Sequence, residues 1–327
     1  MKKALLRIGD YLFVMRPLLL IPAWSIYLLG AEAGRRRAEH LTVITEIPGS
    51  FYFGFACLTA ILVTAYLLNQ VFDQDSDRHN RKGHFLTKGI FRTRTVVLMA
   101  VVAFIVASFL FRSVSTAQRL PLVLALVLSL AYSLPPLRLV ARPVVDILAN
   151  AAGYGCIAFV AGYAAYYPTM ANAVALSVPY VFLVAATFLH TTILDVGGDK
   201  ESGKITTTVV IGVRGSAAVA CVLAAVGWIP AALISLPEHG DKIAVVVLSV
   251  GVILFVVSAG VLMRTGSTRI SSAAVQVATA LVTVPAALVW TAYWYLVVPV
   301  VVLARVYYRV RFGVDYPGSV STARREW

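Results

Sequence analysis

The sequence predicts an all-α fold: a polytopic membrane bundle of nine transmembrane helices, or ten if the last apolar run also crosses. Three observations carry this. Of 327 residues, 60% are hydrophobic and only 13% charged, a balance that soluble globular domains do not have. Apolar runs of roughly 20 residues recur from end to end, each long enough to cross a hydrocarbon layer about 30 Å thick. The runs do not alternate in polarity as barrel strands do, and lipid offers no partner for unpaired backbone groups, so they are helices.

In chain order, spans are expected near 17–33, 51–72, 95–112, 120–135, 143–166, 174–195, 215–235, 243–263 and 271–291. A last run covers 293–308, where the Trp and Tyr residues read as an interfacial belt. The first run follows a basic start and precedes Ala31-Glu32-Ala33, as in a signal peptide. Arg16-Pro17 interrupts it and its apolar part is long, so an uncleaved first helix is expected. Cys57, Cys156 and Cys221 each lie inside an apolar run without metal-like spacing, and read as packing residues.

The net charge of +13 could point to nucleic acid, but its placement argues against that partner. The basic residues lie in the loops, as orientation in a membrane requires. With Lys2, Lys3 and Arg7 cytoplasmic, the N-terminus and loops 73–94, 136–142, 196–214 and 264–270 carry about sixteen Lys and Arg, against about six opposite. Arg305, Arg309, Arg311, Arg324 and Arg325 follow in the C-terminal part, which lies on the same side only if the number of crossings is even. A multi-pass protein of a bacterial or archaeal cell membrane is expected, with its acidic loops in the cytoplasm.

Two acidic clusters stand out among only 15 Asp and Glu. The first runs Asn69-Gln70-Val71-Phe72-Asp73-Gln74-Asp75-Ser76-Asp77, the second Asp195-Val196-Gly197-Gly198-Asp199. Asn69, Asp73 and Asp77 are spaced to share one helix face, as are Asp195 and Asp199. Asp75 projects away and is expected to be solvated. Opposed across a cleft, the two faces offer hard oxygen ligands that suit Mg²⁺, while the absence of His and Cys disfavours zinc. A diphosphate, with about three negative charges, could not approach them without divalent ions. Arg78, Arg81, Lys82, Lys88, Lys200 and Lys204, in the same loops, are candidates for its remaining oxygens. The plain alternative for the first cluster is a solvated helix end with pairs such as Asp77 with Arg81. A second cluster on the same side argues against it.

Lys82-Gly83 follows the first cluster and Gly203-Lys204 the second, each before a new helix. This weak repeat predicts a single domain, 1–327, of two related halves, about 1–140 and 141–327, facing a shared cavity. Further candidates are Tyr66, one turn before Asn69, and Tyr132 and Arg138, which flank the helix-stopping Pro135-Pro136. The latter pair also reads as a simple turn. His190 fits either an acceptor contact or helix packing. Asp146 and Asn150 are expected to face the interior.

These residues resemble the UbiA superfamily of intramembrane prenyltransferases over most of the chain. The first family signature, Asn-Asp-x-x-Asp-x-x-x-Asp, is matched by Asn69, Asp73 and Asp77, with Gln70 in place of the second-position Asp. The second is matched by Asp195, Asp199, Gly203, Lys204 and Thr206, and Tyr-Ser-x-Pro-Pro-x-Arg by Tyr132 to Arg138. Val140 stands where a Lys often follows that Arg, with Arg142 two residues on. The resemblance implies a bundle around a central cavity with Mg²⁺ on both Asp motifs. It also implies metal-assisted ionisation of a prenyl diphosphate and transfer of the prenyl group to an aromatic or lipid acceptor. It leaves acceptor, chain length and oligomeric state open, and includes phosphoribosyl transfer to a polyprenyl phosphate and terpene cyclisation as variants.

Outside the superfamily, a transporter using buried carboxylates is the main competitor. Transport sites sit near the bilayer midplane, whereas these acids lie at helix ends beside basic loops. A nucleotide-lipid phosphatidyl transferase would carry a single long acidic motif. A scaffold would leave both clusters unexplained.

Overall fold

The computed structural model describes residues 2–39, 46–80, 82–238, 242–267 and 269–314. Helix is the only regular structure among them. In order these are α1 (Lys2–Phe13), α2 (Pro17–Glu39), α3 (Gly49–Phe72), α4 (Gln74–His79), α5 (His84–Thr87), α6 (Thr93–Leu110) and α7 (Thr116–Ser133). There follow α8 (Val145–Ala151), a π-helical turn (Ala152–Ile157), α9 (Ala158–Tyr163), α10 (Met170–Glu201), α11 (Thr207–Glu238), α12 (Lys242–Thr265), α13 (Arg269–Val289) and α14 (Trp294–Phe312).

Among the described residues ten helical stretches are long and apolar enough to cross a membrane, with the π turn joining α8 and α9 into one of them. The protein is therefore an integral membrane bundle, and the last run, Thr291–Phe312, is of spanning length. Ten crossings would return the chain to the side of α1, and α14 packs against α1. Asp10 of α1 is buried and accepts from Arg311 Nε at 2.9 Å and Nη2 at 3.2 Å on α14, and from the Tyr307 hydroxyl. Phe13 stacks on Tyr307, ring centres 4.4 Å apart.

That packing corrects the expected aromatic belt. Tyr293, Tyr307 and Tyr308 are buried, and Tyr293 donates to Ile21 O. Tyr295, at 85% exposed, keeps the position of a belt residue.

The rest of the bundle follows from small residues and punctuation. Proline opens α2, where its fixed φ suits a first helical position. Gly30 on α2 and Gly162 on α9 let the two backbones meet: a Cβ on Gly30 would lie 2.1 Å from Phe159 O, and one on Gly162 1.9 Å from Tyr27 O. Lipid gives helices no hydrophobic reason to associate, so such close van der Waals contact holds them. Ser115 caps α7 in a reciprocal box with Gln118. Buried Gln118 also donates to the Tyr27 hydroxyl at 3.1 Å and Ala161 O at 3.1 Å.

Two helices outrun their expected bounds. α10 continues past 195 to Glu201, keeping the whole second acidic cluster helical. A non-helical residue at Gly212 (φ 74°, ψ 171°) divides α11, so its long part begins close to the expected 215, and only a short segment opening at Thr207 precedes the expected start. Its start is fixed by buried Asp146, whose carboxylate accepts from the Thr207 backbone N–H at 2.8 Å and from its hydroxyl. Asp146 is thus a structural tie between α8 and α11.

Candidate active site

The two acidic clusters meet at one end of the bundle, where α3, α4 and the end of α10 converge. The first is not one uninterrupted helix face. α3 ends at Phe72 and Asp73 forms the joint (φ −101°, ψ 15°) before α4 begins. The joint is shallow: Asp73 N still bonds Asn69 O and Asp77 N still bonds Asp73 O. The i, i+4 stacking of Asn69, Asp73 and Asp77 therefore survives.

Side chains of α4 fasten this segment to α10. Ser76 Oγ donates to Asp199 Oδ1 at 2.5 Å. Asn80 inserts its amide into the α10 backbone: Nδ2 donates to Asp195 O at 3.1 Å, and Gly198 N donates to Oδ1 at 3.0 Å. A Cβ on Gly198 would come 2.4 Å from Asn80 Cγ, so the glycine makes room for the amide.

Four cations interleave with the four carboxylates. Arg16 Nη2 lies 3.2 Å from Asp77, and Lys82 pairs with Asp195. Arg138 Nη2 lies 3.3 Å from Asp73. Lys204 bridges the clusters, 3.2 Å from Asp73 and 3.7 Å from Asp199. Arg16 (φ 53°) and Arg138 (φ 37°), the two arginines on the first cluster, both hold left-handed backbone conformations that disfavour a side chain. Such strain collects where a site requires it.

The electrostatics follow from burial and crowding. Burial pushes the Asp77 carboxyl above the ordinary carboxylate range. Arg16 opposes the shift, Asp73 and Asp195 add to it, and Lys82 opposes it. At Lys204 burial favours the neutral amine, but Asp73, Asp199 and Asp195 outweigh it and raise the pKa, so the ammonium persists.

Tyr66 and Tyr132 extend the site into the bundle. Tyr66 donates to Leu19 O at 2.9 Å and bonds the hydroxyl of Tyr154 on the π turn. Tyr132 stands in the last turn of α7, ahead of the loop whose Arg138 meets Asp73.

Other expected contacts fall elsewhere. Arg78, one residue past Asp77, is turned outward, 67% exposed, and meets Asp75 at 3.9 Å. Asp75 is 85% exposed, as its facing predicts. Lys200, one residue past Asp199, is exposed and belongs to none of the ion pairs among the described residues. Lys88 sits over the Phe312 ring, 5.1 Å from its centre. Arg81 lies outside the described residues, as do Arg324 and Arg325. His190 is fully buried, stacks on Phe255 and bonds Ser271 through Nδ1 at 3.1 Å. It sits among α10, α12 and α13, and its Nε2 is buried without a hydrogen-bond partner.

Gln70, standing where the signature has Asp, is 1% exposed and donates to Val14 O at 2.8 Å and Tyr66 O at 3.0 Å. It braces the turn that carries Arg16, using two N–H donors that a carboxylate lacks. Arg142 donates to Pro136 O at 3.1 Å and so supports the loop. Arg16, Ser76, Asn80 and Tyr154 escaped the sequence reading. Only Arg16 gave a signal, a cation immediately before a helix-opening proline.

The donor set fits Mg²⁺ in kind: carboxylates and one amide, all hard oxygens, on two facing helix ends. Among the described residues no three acidic, His or Cys side chains converge tightly enough to hold an ion alone. Mg²⁺ usually keeps several waters and takes phosphate oxygens alongside one or two carboxylates. An anion-binding donor is also free: Arg138 Nε is buried without a hydrogen-bond partner.

Fold and site define an integral membrane bundle with a polar centre suited to divalent cations and phosphate. The UbiA prenyltransferase family model matches residues 44–273, and the chain belongs to that family. A lycopene elongase/hydratase of Haloarcula japonica is 32% identical over 153 residues, 46% of this chain and 50% of its own. The chain thus matches half the length of that relative. A UbiA homologue from Archaeoglobus fulgidus, solved with GPP and Mg²⁺, superposes with a TM-score of 0.67 at 20% identity, over 85% of this chain and 98% of its own. A UbiA homologue from Aeropyrum pernix K1 gives 0.60 at 14% identity, over 83% and 97%.

Proposed function

We propose that this protein is a Mg²⁺-dependent intramembrane prenyltransferase, which breaks the C–O bond of an allylic prenyl diphosphate and passes the prenyl group to a membrane-soluble acceptor. The observation that carries this reading is the interleaving of Asp73, Asp77, Asp195 and Asp199 with Arg16, Lys82, Arg138 and Lys204 at one end of an apolar bundle. The charges balance as they stand, so a diphosphate is admitted only with compensating cations. When bound, Mg²⁺ supplies the positive charge that neutralises the diphosphate and makes it a better leaving group.

The chain's own residues do the rest. The four Asp carboxylates and the Asn69 amide would hold the metal. Lys82, Lys204 and Arg138, already beside them, would receive the phosphate oxygens. Tyr66, Tyr132 and Tyr154 lie on the bundle side of the carboxylates and would wall the prenyl end, where excluding water protects the allylic cation from quenching. The acceptor attacks that cation through carbon or oxygen and loses a proton. Proteins of this fold and family carry names as different as lycopene elongase/hydratase and digeranylgeranylglyceryl phosphate synthase. The shared requirement is an acceptor that reaches the site through the bilayer. The excess of basic residues on the motif side favours a cytoplasmic site.

The test uses purified full-length protein in lipid nanodiscs with GPP and extracted membrane lipids. Mg²⁺-dependent diphosphate release should accompany a lipid heavier by one geranyl group, less the proton it loses, in mass spectrometry. A cyclised hydrocarbon with no acceptor adduct would move the reading to a cyclase. No diphosphate release, with ion flux through proteoliposomes, would replace it with transport.

A further inference from the structure

One polar cavity is lined by none of the residues of the two Asp clusters, and nothing in the prenyl-transfer reading uses it. It is a cleft of about 500 Å³ between α1, the turn that opens α6 and the end of α14. Its walls combine apolar Leu6 and Ile90 with Arg7, Arg92 and Arg311. Arg311 is occupied by Asp10, at 2.9 Å and 3.2 Å. Arg7 and Arg92 are exposed, and neither has a carboxylate partner among the described residues. The cleft therefore holds two uncompensated guanidinium groups.

Its level in the membrane follows from α1. Leu5, Ile8 and Leu12 share one face of that helix and are 63%, 66% and 47% exposed, while Asp10 on another face is 5% exposed. A short helix with one apolar exposed face and one face docked on a transmembrane bundle lies in the interfacial plane, its apolar side among the acyl chains. The cleft, bounded by α1 and by the first turn of a spanning helix, then sits at the depth of lipid phosphates.

We propose that this cleft binds the headgroup of an anionic phospholipid from the surrounding leaflet, with Arg7 and Arg92 on the phosphate and the acyl chains running down beside α1. Arginine suits this role because its planar donors grip phosphate in pairs. A zwitterionic lipid fits less well, since its amine brings a positive charge to a site that already has two in excess. α1 leads within a few residues to Arg16, so a lipid seated here also steadies the strap that carries the Asp77 partner.

The experiment reads binding, not turnover, and so stands or falls apart from the prenyl-transfer reading. Full-length protein in mild detergent is titrated with phosphatidylglycerol or phosphatidylcholine, and retained lipid is counted by native mass spectrometry. The wild type should retain one phosphatidylglycerol in preference to phosphatidylcholine. An Arg7→Gln/Arg92→Gln variant should bind it roughly 25-fold more weakly, about fivefold for each basic residue lost at an anionic surface. Arg7→Lys/Arg92→Lys should keep most of the affinity. Equal retention by wild type and the Gln variant, or no preference between the two lipids, would overturn the proposal. Displacement by equimolar glycerophosphoglycerol would overturn it too, since the site would then take free phosphate esters. If the Gln variant does not fold, the wild-type lipid preference and its weakening at high salt decide the matter.

Discussion

The two acidic motifs look alike in sequence and are built differently. The second is one continuous stretch of α10, its carboxylates a turn apart on a helix that runs on to Glu201. The first straddles a joint, with Asp73 between α3 and α4. Their partners differ in the same sense. Asp195 and Asp199 are held from the first motif's side, by Lys82 and Ser76, with Lys204 shared. Asp73 and Asp77 are held from elsewhere, by Arg138, Lys204 and Arg16, two of these on left-handed backbone. The second motif is thus a rigid rail, and the first is a jointed arm clipped to it by Ser76 and Asn80.

The largest expected effect comes from removing one carboxylate on each side. Asp73→Ala and Asp195→Ala should each lower GPP turnover by about 10²–10³-fold or more, with the protein still folded by circular dichroism and gel filtration. Wild-type rates in either variant would end the metal-binding assignment.

Next comes the clip. Asn80→Ala frees the arm, and Gly198→Ala pushes the Asn80 amide out of its slot. Both should weaken apparent Mg²⁺ affinity by about 10–100-fold, the usual range for groups that orient metal ligands. Asn80 is a positioning residue, so metal titration is the deciding readout. An unchanged Mg²⁺ dependence with merely lower thermal stability would make the clip a fold element only.

A pH effect is expected at the arm. The folded environment raises the Asp77 pKa, through burial first and then its neighbouring carboxylates. Protons therefore compete with metal at Asp77 at a higher pH than at an ordinary Asp, about 3.9. Without metal, its protonated form contributes stability fully present below about 3.9 and lost as pH rises through the raised value. Mg²⁺-induced stabilisation, followed as a shift in Tm, should thus fade on acidification well before ordinary Asp residues titrate. In Asp77→Asn the fading should set in at a different pH; an identical profile in both proteins would locate the effect elsewhere.

The smallest effect is expected at Asp75, inside the first motif but facing solvent. Asp75→Ala should change turnover by less than about fivefold, since an exposed ion pair contributes at most about 1 kcal/mol. A loss equal to that of Asp73→Ala would mean the arm rotates in the working state and presents its other face.

The sequence disclosed more of the spans than of the site. Hydrophobic runs mark where helices cross, because each must satisfy its own backbone in lipid. They do not mark where helices end. Gly197-Gly198 and the charges after it read as loop, yet α10 continues through them because Asn80 and Ser76 fasten its last turns. Lys200 and Arg78 are chemically as suitable as Lys204 and Lys82, and only the rotation of each helix end turns the first two to solvent. His190 looks functional as an isolated polar residue, but Ser271 and Phe255, which enclose it, come from helices some eighty and sixty-five residues later in the chain. Tyr154 was invisible among its apolar neighbours.

What the chain alone determined is a membrane bundle with two oxygen-rich helix ends on one side, because hydrophobic length and i, i+4 spacing are local properties. What the tertiary structure decided is which charges meet: Arg16 from the first strap, Lys82 and Lys204 from two loops, and Asn80 wedged against Gly198. Those pairings depend on how helices rotate and abut in the bundle, and close contact between residues 61 to 131 positions apart leaves no mark on the local pattern of either.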